Sequence, residues 1–352
     1  MGKAPTGIKH VEKKVGLIAK AIAIMAVILL HVLSLFPDSI YTNADYNAVF
    51  VILNQAARFS VPLFLALSGF GLARKYQKKT LPTKKFIKSR LKKLVPLYLL
   101  WSLILLIILQ VSNTWSSNGV NFWQGILLGK TDYHLYFVPL IFQLYFLFAL
   151  LSKILPERHF IWLVVGTGLF QILLFTGIRL ASLQELGKLP SFLLNDQIQY
   201  RILTNWLFYF SLGLFLVQIN LKWLRKKALL GIILLVMIIG SLGWMVHDAD
   251  QLISSTNNIT YATSFIRPAV FLYATAVILE IIIYGPRLLQ TIRWDFKILQ
   301  TIGQHSYLIY LSHTLVLRIA KGVVTTEPRT STLTMAGAFF VSGTILSGKL
   351  TS

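Results

Sequence analysis

Apolar runs about as long as a hydrocarbon core is thick recur along the whole chain, separated by short polar or basic stretches, and this pattern predicts membrane-spanning helices. Ten such runs can be marked, near residues 15–36, 48–73, 94–112, 133–152, 160–178, 202–220, 229–246, 264–285, 298–320 and 333–347. The fold class this implies is all-α: a polytopic transmembrane helical bundle of about ten spans. The first run is longer than a signal-peptide core and lacks a small-residue exit, so it reads as a retained first helix. The tenth is short, and without it the C-terminus would change sides. The second span carries Asn54 and Arg58 at i, i+4, with Ser60 and Pro62 just beyond. A helix with such a face needs internal polar partners, so it is expected to line a cavity.

Composition agrees with the pattern. Of 352 residues, 55% are hydrophobic and only 13% charged, against roughly 25% charged in soluble domains. The net charge of +22 would suggest nucleic acid in a soluble protein, but its distribution gives another account. With the N-terminus inside, the inner connections hold 24 of the 34 Lys and Arg, the outer ones six, and four lie within spans. That asymmetry is the positive-inside signal, so N- and C-termini are both expected in the cytosol and nucleic acid is excluded as a partner. The polar connections are too short for a soluble domain. Residues 1–352 therefore read as one membrane domain, with a basic cytosolic N-terminus over 1–14 and a basic cytosolic loop over 74–93. The expected location is a cell membrane, most naturally the bacterial cytoplasmic membrane, with the lipid bilayer as constant partner. The chain has no cysteine, which excludes disulfides, thiolate metal sites and a cysteine-bound acyl intermediate.

Ionisable groups inside spans are the candidates for chemistry. Lys20 and His31 lie eleven residues apart in the first run, which brings both to one helix face about 16 Å apart. The alternative is that Lys20 snorkels to the inner headgroups and His31 rests in the outer interface. In the ninth run Ser306, Tyr310 and His313 fall at i, i+4 and i+7, again one face. Tyr133 and His134 open the fourth span at the membrane level of His31. Three histidines in the outer half raise zinc, but no compact pair of ligands accompanies them and no metal site is assigned. The basic segment RKYQKKTLPTKKFIKSRLKK holds ten cations and no acid. It is either a topogenic cluster that also attracts anionic lipid or a docking surface for a polyanion such as the phosphates of coenzyme A. The connection over 113–132 contains NFWQGILLG, an amphipathic patch that suits a shallow lid or an interfacial anchor equally.

Taken in order, these segments resemble the acyltransferase-3 family of integral membrane O-acyltransferases, nearest its intercellular-adhesin (IcaC-type), polysaccharide-modifying branch. KAIAIMAVILLH is similar to the family's basic residue followed after ten positions by histidine. NQAARFSVPLFLALSGF resembles its second helix, ending in Ser68, Gly69 and Phe70, and FIKSRLKKLVPLY its basic segment leading into Pro96, Leu97 and Tyr98. YHLYFVPLIFQLYF, NWLFYFSLG and SYLIYLSH are similar to later family segments, with Tyr136 where tryptophan is usual. Where the family often has aspartate three residues before the basic position, this chain has Leu17. No segment resembles the soluble extracytoplasmic domain of some members, so the membrane domain is expected to act alone or with separate glycan-synthesis machinery.

The resemblance implies acyl transfer from cytosolic acyl-CoA, acetyl- or succinyl-CoA, to a carbohydrate hydroxyl outside, with no permanently bound cofactor. On that reading Lys88, Arg90, Lys92 and Lys93 hold the coenzyme phosphates. His31 takes the proton of the sugar hydroxyl, and Lys20, Arg58 or the Tyr310 hydroxyl stabilises the oxyanion. Tyr133, His134, Ser306, Tyr310 and His313 line the substrate path. A histidine-bound acyl relay is an alternative route. Two rival classes remain: an exporter or flippase of polysaccharide or lipid-linked sugar, and a membrane scaffold for a glycan synthase.

Overall fold

The computed structural model describes residues 6–36, 47–77, 79–111, 121–182, 196–256, 259–292 and 295–324. Among them there is no strand. The helices are α1 Thr6–Leu33, α2 Asn47–Ala56, α3 Ser60–Tyr76, α4 Thr83–Val111, α5 Phe122–Leu127, α6 Phe137–Ile154, α7 Phe160–Ser182, α8 Asp196–Gln199, α9 Thr204–Leu216, α10 Leu221–Arg225, α11 Ala228–Thr256, α12 Ile259–Ala262, α13 Pro268–Thr291, α14 Lys297–Gln304 and α15 Ser306–Val324.

Seven stretches of helix are long and apolar enough to cross a membrane: Val11–Leu33, Ala48–Tyr76, Thr83–Ile108, Phe137–Ile154, Glu157–Ala181, Ala228–Ser255 and Pro268–Thr291. Three of the ten expected spans are not in that set. The run at 202–220 forms the 13-residue α9 and the short α10. The run at 298–320 breaks at His305, whose Nδ1 lies 3.0 Å from the Thr301 carbonyl, so α14 ends there and α15 starts at Ser306. The run at 333–347 lies outside the described residues. The basic segment is not loop throughout, because α4 begins at Thr83 and carries its cations on helical turns before Pro96.

Local chemistry accounts for the breaks that matter. Between α2 and α3 the chain tightens into a 3₁₀ turn, Ala57–Phe59, and Pro62 follows in the first turn of α3, where a missing N–H leaves nothing unpaired. Arg267 precedes Pro268 and is extended (φ −143°, ψ 142°), the backbone that a following proline favours, so α13 starts sharply with proline at its N-terminus.

Contacts divide the chain into two compact units. The first comprises residues 1–68, 172–189 and 219–352. In it α1 packs on α13, α14 and α15, and α11 packs on α13 and α2. α14 and α13 both lie close on α1: a Cβ on Gly303 of α14 would collide with the Leu17 carbonyl, and one on Gly285 of α13 would lie 3.1 Å from Val15. Small residues allow such close backbone approach where no hydrophobic driving force acts between helices. Glu12 and the Ile283 carbonyl both accept from Arg225, tying α1, α10 and α13.

The second unit comprises residues 69–171 and 190–218. Gly69, the glycine of the S-G-F turn, is required because the Phe210 carbonyl of α9 lies where a Cβ would go. Gly129 has φ 62°, and Arg201 holds that turn by donating to the carbonyls of Leu128 and Gly129 at 3.0 and 3.3 Å. Asn121 caps α5 by accepting from Gln124 N. The amphipathic patch thus forms a short helix that exposes Phe122, Trp123 and Leu127, the arrangement of an interfacial anchor rather than of a covered lid.

Candidate active site

Two helices of the first unit bring two histidines face to face. His31, in the last turn of α1, and His313 of α15 have ring centroids 5.0 Å apart and planes inclined by 30°. His313 is fully buried. Its Nδ1 lies 2.7 Å from the Tyr310 carbonyl, which can only accept, so Nδ1 carries the hydrogen and Nε2 holds the lone pair of the neutral ring. The Tyr310 ring lies 6.0 Å from that of His313. Ser306 and Tyr310 are both buried on the same helix, so the stripe read from their spacing faces inward. His31 and Lys20 are half-buried on α1. The structure therefore joins His31, Tyr310 and His313 in one cluster.

Arg58 occupies the 3₁₀ turn that follows α2, a turn packed against α1. Its Nε and Nη2 both donate to Asn54 Oδ1, at 3.0 and 2.7 Å. The Gln55 amide donates to the same oxygen at 3.3 Å, and its own oxygen accepts from Arg267. Arg267 in turn donates to Asp248 Oδ2 at 3.3 Å, while Arg179 donates to Asp248 Oδ1 at 2.6 Å. The result is one continuous network: Arg58, Asn54, Gln55, Arg267, Asp248, Arg179. Arg267 and Gln55 are 0% exposed, Asp248 1% and Asn54 5%. Arg179 and Arg267 share the Asp248 carboxylate, and Arg58 joins them through the two amides. Because Arg267 claims the Gln55 oxygen, the Gln55 nitrogen must face Asn54. Asn54 presents its oxygen to both donors, Arg58 and the Gln55 amide, so Arg58 and Arg267 each help to fix this pair of amides.

Sequence reasoning missed Arg179, Asp248 and Arg267. The signal was present for Arg267, one of four cations inside spans and placed just before a proline. Asp248 is one of only 12 acidic residues in the chain. What the sequence does not show is that positions 54, 179, 248 and 267 converge.

The other candidates belong to the second unit. Tyr133 and His134, neighbours before α6, point differently: Tyr133 is exposed and His134 buried, with His134 Nδ1 3.7 Å from Asp132 Oδ2. Of the basic quartet on α4, Lys88, Lys92 and Lys93 are exposed. Arg90 turns inward, its guanidinium over the rings of Phe86 (5.4 Å) and Tyr145 (5.1 Å). That is a packed cation rather than a solvated one. Among the described residues no three His, Asp or Glu side chains group as metal ligands would.

This arrangement supplies a base with a defined tautomer, a second imidazole, and a guanidinium fixed by a buried network, all in an apolar bundle. Such a set can accept a hydroxyl proton and stabilise a developing oxyanion. A family model described as an acyltransferase domain matches residues 18–349. No curated protein and no solved structure matches the chain.

Proposed function

The chain belongs to the acyltransferase-3 family, and from that premise we propose that it moves an acyl group of the acetyl or succinyl class from cytosolic acyl-CoA to a hydroxyl of an extracytoplasmic or cell-surface glycan. The branch whose segments it resembles, the intercellular-adhesin type, fits this reading. It acts as a multi-pass protein of the bacterial cytoplasmic membrane, with its basic connections on the cytosolic side where the donor is found.

The observation that carries the proposal is the His31–His313 pair on the buried face of α1 and α15. The acceptor hydroxyl attacks the thioester carbonyl as His31 removes its proton, a contribution of typically 10²–10⁴-fold in rate. The negative charge on the tetrahedral oxygen is met by Arg58, Lys20 or the Tyr310 hydroxyl. Collapse breaks the carbon–sulfur bond, the imidazolium returns its proton to the leaving thiolate, and ester and free coenzyme A result. His313, its Nδ1 held by the Tyr310 carbonyl, packs against the His31 ring and keeps it in position for both proton transfers. Lys88, Lys92 and Lys93 draw the donor phosphates to the membrane surface.

The test is transfer of labelled acetyl or succinyl groups from acyl-CoA by the purified, membrane-reconstituted protein, with mass analysis of surface glycans from cells with and without the gene. Coenzyme A binding together with gene-dependent glycan esters supports the enzyme. Glycan export without coenzyme A binding identifies a transporter instead.

A further inference from the structure

The second unit contains a cavity of about 550 Å³ that the chemistry above does not use. It lies among the C-terminal ends of α3, α6 and α9, beside the N-terminal end of α7, and its walls include Tyr76, Gln77, Lys79, Ser152, Lys153 and Gln218. Its size falls within the roughly 300–1,000 Å³ of small-molecule sites. All three helix ends lead into connections that the charge asymmetry assigns to the cytosol.

Resting on acyl-CoA as the donor, we propose that this cavity seats the nucleotide end of acyl-CoA, with the purine inside and the phosphates at the rim. The walls are of two kinds. One is aromatic and pre-set: Tyr76 and Phe148 line the cavity with centroids 6.2 Å apart, and Phe86 backs them at 5.7 and 5.8 Å. Arg90 stands behind this cluster, over Phe86 and Tyr145. Flat, fixed surfaces of this kind suit a planar base.

The other kind is polar. Gln218 donates its amide N–H to the Glu157 carbonyl at 2.6 Å, so the amide oxygen is the acceptor it offers. Helix C-termini add backbone carbonyls, and the Glu157 side chain is a further acceptor on the wall. Acceptors inside favour the exocyclic amine of a purine. Lys79 and Lys153, both exposed at the rim, supply the positive charge that phosphates need. A lipid headgroup would call for the lysines alone and would leave the aromatic and acceptor walls without a role.

The absence of cysteine permits a direct test. Ser152→Cys places one thiol on the cavity wall, close in shape to a serine whose hydroxyl bonds the Ala149 carbonyl. Ser255→Cys, on exposed α11, is the control. Desulfo-coenzyme A, which has no thiol, should slow maleimide labelling of Ser152→Cys at least fivefold and leave Ser255→Cys unchanged. Adding Lys79→Gln and Lys153→Gln should weaken that protection by about tenfold in ligand concentration, more at low salt. If desulfo-coenzyme A binds by calorimetry yet leaves Ser152→Cys unprotected, the cavity assignment fails while the donor reading stands. If it binds nowhere on the wild-type protein, both fail together. Protection by phosphatidylglycerol vesicles equal to that by desulfo-coenzyme A overturns the nucleotide assignment in favour of lipid.

Discussion

Removing the Asp248 carboxylate should destabilise the first unit more than removing the ion pair altogether. In Asp248→Leu, Arg267 keeps its charge at 0% exposure with its carboxylate gone, and breaking a buried pair from one side costs about 3–5 kcal/mol. Arg179 contributes less, because its side chain is 19% exposed and sits near the end of α7, from where it can relax toward water. Adding Arg267→Met removes the stranded charge. The double variant still loses the donor to the Gln55 oxygen, a buried polar group whose desertion costs about 1–3 kcal/mol. The single variant is therefore worse than the double by about 2 kcal/mol. At roughly 2 °C per kcal/mol for a chain of this size, Asp248→Leu should lower the apparent Tm by about 6–10 °C and the double variant by about 2–6 °C. Fluorescence-monitored thermal unfolding of the purified variants in one detergent, at one scan rate, reads the difference. A double variant that melts at or below Asp248→Leu, or an Asp248→Leu protein as stable as wild type, would show that this carboxylate does not neutralise Arg267.

Four shorter predictions follow from the same geometry. His31→Ala should abolish acyl transfer in protein that still folds and inserts; normal glycan acylation by that variant, measured by mass spectrometry, removes His31 from the chemistry. Lys20→Ala should be severe and Lys20→Arg should retain substantial activity if charge is the role, since arginine stays protonated; equal loss in both points to proton transfer or steric fit instead. Lys92→Gln with Lys93→Gln should weaken donor binding in a salt-dependent way with Tm unchanged, while Arg90→Gln should lower Tm through loss of about 1–2 kcal/mol of cation–π packing; the reverse pattern would exchange their roles. Gly303→Ala should force α14 off α1 and cut the yield of folded protein, and a Gly303→Ala protein that melts like wild type would contradict the close approach to Leu17.

The class of the fold and much of the histidine cluster were legible because both depend on spacing over short distances. The face shared by Ser306, Tyr310 and His313 requires only that eight residues stay helical, and the break at His305 falls one residue before them, so the stripe survives it. Counting spans needs continuity over about 20 residues, and there local chemistry intervenes. α9 stops after 13 residues. Conversely α4 takes in the second half of the basic segment, because lysine and arginine are good helix formers and nothing between Thr83 and Pro96 breaks the helix.

Partner choice was the illegible part, for a physical reason. A cation in a span announces that it needs a partner, but its periodicity cannot say which one. Arg58 shares a helix face with Asn54, a face expected to need internal polar partners, and it donates to Asn54 itself at 2.7 Å. Nothing local says that the Asn54 oxygen is aimed by Gln55, or that Gln55 is aimed in turn by Arg267 more than 200 residues away. Each amide in that chain has two orientations of nearly equal intrinsic energy. Arginine only donates, so the guanidiniums at the two ends, Arg58 and Arg267, together select the orientation of both amides. The buried Asp248–Arg267 pair therefore reaches as far as Arg58: by claiming the Gln55 oxygen, Arg267 turns the Gln55 nitrogen onto Asn54, and that donor adds to the demand for the Asn54 oxygen that the Arg58 guanidinium makes by itself.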